Sequence, residues 1–156
     1  MKFFTSDLWR KLNSTSIEER EMAFKQWKQI AQLYYKELAC VLRRVSKREH
    51  KAISICEELH DCKIKGIEFT QNQKNSKWTL EIILEPSGEE KIKIMFVDVI
   101  TFNTNIQIGV ECILGNMNWG YCEFSLGEKS RLHMALLCDL HNEISIDFHS
   151  IKAIDC

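Results

Sequence analysis

Four side chains of this 156-residue chain have the chemistry of a reactive cluster: His60, Asp61, Glu123 and His133. Two imidazoles and two carboxylates brought onto one face would supply a general acid–base pair or a set of ligands for a divalent metal. The pairing of Glu123 with His133 rests on a hairpin. Strand-like runs at 119–125 and 131–138 flank Gly127-Glu128-Lys129. With those three residues at the tip, paired positions sum to about 256, and Glu123 lies opposite His133 with Tyr121 two residues along. Directly opposed side chains have Cβ atoms about 4.5–5.5 Å apart, close enough for a carboxylate to orient an imidazole. A slip of one residue would move one of them to the other face. His60 and Asp61 lie where helical periodicity gives way to strand alternation, and join the cluster if that junction folds over the same face. The structural alternative is a buried polar network that pins the junction to the sheet. Cys56 and His60, four apart with Cys62 behind, could begin a zinc site, but no second ligand pair follows at the usual spacing.

The elements that must position these residues are legible from patterning. Up to His60 the apolar residues recur at helical spacing: Phe24, Trp27, Ala31, Tyr34, Leu38, Val41 and Val45 form one face. Thr15…Glu18 and Ser16…Glu19 fit a capping box near the start of that helix. Ser46…Glu49 fits another and predicts a second helix, whose buried face is Ala52, Ile53, Cys56 and Leu59. Leu8, Trp9 and Leu12 suggest an earlier short helix or packed arm. Beyond residue 61 short alternating runs follow at 63–70, 78–84, 92–96, 106–113, 119–125, 131–138 and 143–149. Glu85-Pro86-Ser87-Gly88 suits a type I turn with a Gly bulge. Connections this short favour antiparallel neighbours. The expectation is a single α+β domain over 1–156, with a helical segment (1–60) packed on an antiparallel sheet of about six or seven strands (61–156).

Composition narrows the class. The hydrophobic fraction of 45% fits a globular domain. No apolar run approaches the roughly 20 residues of a membrane span. The opening Met1 to Asp7 meets an acid too early for a secretory hydrophobic region. Seven cysteines, an odd number without a C-x-x-C pair, argue against a disulfide framework and for a cytoplasmic protein. Net charge is −1, but residues 1–60 carry 12 Lys and Arg against 8 Asp and Glu, and residues 61–156 carry 9 against 14. That asymmetry can orient a charged partner. It falls short of a nucleic-acid-binding composition. No phosphate-binding glycine loop, nucleophile elbow or H-E-x-x-H is present, which argues against an enzyme of a familiar kind and gives no cofactor to expect.

Two surfaces are candidates for a protein partner. One is the basic stretch Arg43, Arg44, Lys47 and Arg48, whose alternative role is to solvate a helix end. The other is the acidic half, with Glu81, Glu85, Glu89 and Glu90, which would suit a basic target. Trp119, after Gly115-Asn116-Met117-Asn118, is a candidate exposed anchor, whereas Trp27 and Trp78 are expected in the core.

Several short segments together resemble a bacterial family of unknown function: Met1-Lys2-Phe3-Phe4-Thr5, Leu59-His60-Asp61-Cys62-Lys63-Ile64, Trp119-x-Tyr121-x-Glu123, His133, and Glu143-Ile144-x-Ile146-x-Phe148. The resemblance spans most of the chain. It implies a helical N-terminal half and a strand-rich C-terminal half, and assigns no activity to His60, Asp61, Glu123 or His133. Small bacterial proteins that look like this occur as immunity proteins beside toxins. The expected function is therefore a cytoplasmic protein-binding module, in its narrowest form one that neutralises a toxin. A metal-assisted hydrolase built on the four-residue cluster is the competing expectation.

Overall fold

The computed structural model describes residues 1–86, 91–105, 117–127, 131–138 and 142–155. Among the described residues three helices precede nine strands. Helix α1 (Ser6–Leu12) is capped by Thr5, whose hydroxyl accepts from Leu8 N–H. Helix α2 (Ile17–Leu42) is capped in the same way by Ser16. Helix α3 (Lys47–Glu58) begins with the expected capping box: Ser46 accepts from Glu49 N–H and the Glu49 carboxylate accepts from Ser46 N–H.

The strands are β1 (Cys62–Gln71), β2 (Trp78–Glu85), β3 (Ile92–Val99), β4 (Thr101–Thr104), β5 (Asn118–Trp119), β6 (Tyr121–Leu126), β7 (Leu132–Leu137), β8 (Glu143–Phe148) and β9 (Ser150–Asp155). They divide between two antiparallel sheets, ordered β5-β1-β2-β3-β9 and β4-β8-β7-β6. The architecture is α+β, helices packed on sheet, as the patterning predicts. The chain passes from one sheet to the other through a single residue at Ile100, between β3 and β4, and again at His149, between β8 and β9. Ile100 N–H donates to Asp147 and His149 N–H to Val97, so each crossing keeps its backbone paired. The expected strand 106–113 and the turn residues Ser87 and Gly88 lie outside the described residues.

The inner faces meet in one core. Leu80, Ile82, Leu84, Ile94, Phe96 and Ile151 come from the first sheet, and Phe124, Met134, Leu136, Ile144, Ile146 and Phe148 from the second. Phe96 and Phe148 meet edge to face at 5.0 Å. Helix α3 closes the open end against β9 and β6 with Ala52, Ile53 and Cys56, and α2 packs on β6. Trp119, expected as an exposed anchor, is fully buried in this core, because its indole N–H reaches 3.1 Å to the Cys56 carbonyl near the end of α3. Trp78, expected inside, is exposed: it opens β2 at an end of the sheet, opposite Gln71 and Val99.

Candidate functional site

Strand β6 turns Cys122 and Phe124 inward and Tyr121, Glu123 and Ser125 outward. The register of β6 with β7 differs from expectation. Gly127 N–H bonds to the Arg131 carbonyl and closes the turn one residue later, so Glu123 lies opposite Ala135 and Ser125 opposite His133. Paired positions sum to 258, a change of two, which keeps Glu123 and His133 on one face but makes them diagonal rather than opposed.

Each then finds a different partner. His133 lies opposite Asp147 of β8, with Nδ1 2.8 Å from Asp147 Oδ1, and Thr101 of β4 donates its hydroxyl to Asp147 Oδ2. A carboxylate only accepts, so Nδ1 is the donor in this contact. Partial burial alone would raise the Asp147 carboxyl. The hydrogen bonds from Thr101 and His133, with the charges of His133 and Arg131, hold it below its ordinary value.

Glu123 is buried although it points away from the core, because the N-terminal arm lies over it. Its Oε1 accepts from Phe3 N–H at 2.8 Å and Phe4 N–H at 2.6 Å, and its Oε2 from Lys2 N–H at 2.9 Å. Alongside, Glu143 binds the Met1 ammonium at 3.3 Å and the Ser6 hydroxyl at 3.1 Å. Between the arm and the outer face of β6, β7 and β8 is an open cleft of about 580 Å³, lined by Lys2, Phe3, Asn103, Glu123, His133 and Glu143 among others.

His60 and Asp61 lie elsewhere. Asp61 has a left-handed backbone, φ 69°, in the bend from α3 into β1, and its N–H donates to the Trp119 carbonyl. His60 Nδ1 is 2.8 Å from Asp61 Oδ2, and its ring meets Tyr121 at 4.5 Å. The pair lines a second cleft of about 440 Å³, with Trp9, Leu12, Asn13, Phe24, Trp27 and Tyr121. The expected four-residue cluster is thus divided between two clefts, Tyr121 on one and Glu123 and His133 on the other. Among the described residues no group of three or more His, Cys, Asp or Glu is placed to hold a metal ion.

The buried thiols are poor nucleophiles. Burial, with the negative charge of Glu57 behind it, pushes Cys56 and Cys122 well above the usual thiol range. Burial and the charge of Asp61 raise Cys62. Glu57 accepts from the Tyr34 hydroxyl at 2.7 Å, and that hydroxyl accepts from Phe124 N–H at 3.1 Å. Burial raises the Glu57 carboxyl, offset by the hydrogen bonds it accepts from Tyr34 and from the Cys122 thiol and reinforced by the charge of Glu123.

Of the expected partner-binding residues, Arg43, Arg44, Lys47 and Arg48 are exposed at the α2–α3 turn. Glu85 is held by Lys65 at 2.7 Å, and Glu81 by Lys93 at 2.8 Å, so these acids of the sheet half are neutralised. Glu89 and Glu90 lie outside the described residues. Among the described residues no helix is long and apolar enough to cross a membrane.

Sequence patterning missed Asp147 and Thr101 as the partners of His133, the arm over Glu123, and the exposed flank of α2. Ile17, Phe24 and Tyr35 there are more than half exposed, on a helix that buries only Ala23, Tyr34, Leu38 and Val41. The spacing of that flank was readable: Ile17, Phe24 and Ala31 recur every seven residues, as do Tyr35 and Leu42. Comparison with protein-family models, with curated proteins and with solved structures finds no match.

Proposed function

We propose that this protein is a protein-binding module whose contact surface is the flank of α2 bearing Ile17, Phe24, Ala31, Tyr35 and Leu42. The observation that carries the reading is the exposure of Ile17 (65%), Phe24 (51%) and Tyr35 (57%) in one row of a 26-residue helix. At about 1.5 Å per residue the row extends for about 37 Å. Ala31 and Leu42 in this row are partly buried against the core, and Met22 and Leu33 are exposed on another face of α2, so the exposed part of the surface is Ile17, Phe24 and Tyr35; large apolar side chains left in water in one row are a candidate contact surface. Spacing by sevens and fours suits an amphipathic helix of the partner lying alongside. The exposed Arg43 and Arg44 at the C-terminal end of the row favour acidic residues at the matching end of that helix. The cytoplasmic setting expected from the sequence is part of this proposal.

The toxin-neutralising role implied by the family resemblance is the narrower form of this proposal. Its support is the resemblance alone, and a toxin gene beside this one would strengthen it. The general test is capture from extracts of the native host with wild-type bait and with Ile17→Glu/Tyr35→Glu. Exposed substitutions of this kind change stability by only about 0.5 kcal/mol. The wild type should retain a partner that the variant loses. Equal capture by both, or no partner at all, contradicts the proposal.

A second reading is favoured by one observation, the His133–Asp147–Thr101 chain beside the larger cleft. An imidazole whose Nδ1 is fixed by a carboxylate has a basic Nε2, the arrangement of a general base. It needs no metal, unlike the hydrolase expected from the sequence. A hydrolytic activity abolished by His133→Gln would favour it over the binding module.

A further inference from the structure

The cleft at the helix-to-sheet junction shares Phe24 with the α2 flank but is otherwise independent of the partner reading. Its walls come from separate elements: Trp9 from α1, Trp27 from α2 and Tyr121 from β6. These rings are not stacked flat. Trp9 stands at 88° to Tyr121 with centroids 6.0 Å apart, and Trp27 at 60° and 4.5 Å. Tyr121 also meets His60 at 4.5 Å and Phe4 at 5.6 Å, and Trp9, Phe24, Trp27 and Tyr121 together line the cleft.

At the rim is Asp61, its side chain 76% exposed. Its Oδ2 is 2.8 Å from His60 Nδ1. No lysine or arginine is among the described residues lining the cleft. At its edge, Lys28 places its ammonium 4.4 Å from the Phe24 ring centre, so an aromatic face of this region already attracts a cation from within the chain. Aromatic faces carry negative potential and bind cations best where water is displaced. A neutral apolar ligand would gain nothing from the Asp61 carboxylate at the rim, and an anion would be repelled by it.

We propose that this cleft binds an organic ammonium cation, held against the rings of Trp9, Trp27 and Tyr121 and paired with the carboxylate of Asp61. The cation is either a free small molecule or the methylated lysine head of a polypeptide, which present the same chemistry to the cleft.

The test is a tryptophan-fluorescence titration of the full chain with tetramethylammonium chloride at constant ionic strength. It is run in parallel with 3,3-dimethylbutan-1-ol, an uncharged molecule of similar shape, and with a capped trimethyllysine peptide. Tetramethylammonium should quench Trp9 and Trp27 saturably in the millimolar range. Trp9→Leu and Asp61→Asn should each weaken it by about three- to thirtyfold, as cation–π and charge contacts of this kind imply. Tyr121→Phe keeps the ring and should bind as the wild type does. Asp61 is exposed, so the Asp61→Asn variant keeps the test decisive if Trp9→Leu fails to fold. Tenfold tighter binding of the peptide would assign the cation to a polypeptide. Equal or weaker binding would assign it to a free small ammonium. No saturable quenching, equal binding of the uncharged alcohol, or indifference to Asp61→Asn would overturn the proposal. None of these outcomes depends on whether the α2 flank captures a partner.

Discussion

Replacing Glu123 by Ala should release the N-terminal arm. Three backbone N–H groups, of Lys2, Phe3 and Phe4, converge on its carboxylate at 2.6–2.9 Å. A hydrogen bond to a charged group contributes about 2 kcal/mol net, giving about 6 kcal/mol for three. Phe4, 5% exposed and packed on Trp27 and Tyr34, adds about 2 kcal/mol of burial. Freeing residues 1–4 returns about 1–1.5 kcal/mol each of backbone entropy, or about 4–6 kcal/mol. The net loss for Glu123→Ala is therefore about 2–4 kcal/mol. Glu123→Gln keeps a carbonyl for two of the donors and should lose about 1–2 kcal/mol. Urea unfolding gives the stabilities, and amide exchange at Phe3 and Phe4 shows whether the arm has let go. A loss under about 0.5 kcal/mol, with those amides still protected, would refute the view that Glu123 is a clasp.

Other substitutions test the same framework. A Cβ at Gly120 would lie 2.2 Å from the Leu137 carbonyl oxygen, so Gly120→Ala should break the start of the β6–β7 ladder and lose about 1–3 kcal/mol in a thermal melt. Tyr34→Phe removes the donor to Glu57 and the acceptor of Phe124 N–H, both away from water, and should lose about 1–3 kcal/mol by denaturant titration. Glu57 has a raised carboxyl, so the folded state holds its proton longer than the unfolded chain does. Its effect on stability is therefore neutral below the ordinary Glu value of about 4.3 and becomes unfavourable as pH rises through the folded value. Glu57→Gln should accordingly gain on the wild type from pH 4 upward, and a parallel pair of stability–pH curves would contradict this.

What the sequence disclosed follows from how local each signal is. Ser16 and Ser46 announce α2 and α3 because a cap is satisfied within three residues. The alternation of β2, β3 and β8 is equally local. Strand β9 escaped because the chain changes sheet through His149 alone, with no Gly or Pro to mark a break. The register of β6 with β7 turned on one loop residue, enough to pair His133 with Ser125 in place of Glu123. Trp119 follows a run of turn-forming residues, and only the distant Cys56 carbonyl explains its burial. The bonds from Lys2, Phe3 and Phe4 to Glu123 cross about 120 residues of chain and leave no mark on the local pattern around either end. The α2 flank shows the reverse case. Its sevenfold spacing was visible, but a buried and an unpartnered apolar row read alike until the packing of the helix is known.

The proposed partner surface is tested most directly by oxidative footprinting of the wild-type protein alone and with whatever protein the wild-type bait retains. Phe24 and Tyr35 should be protected, with Ile17 following, while the exposed Phe69 and Trp78 of the first sheet label as before. Protection confined to the face around His133, with the α2 residues labelled as in the free protein, would contradict it.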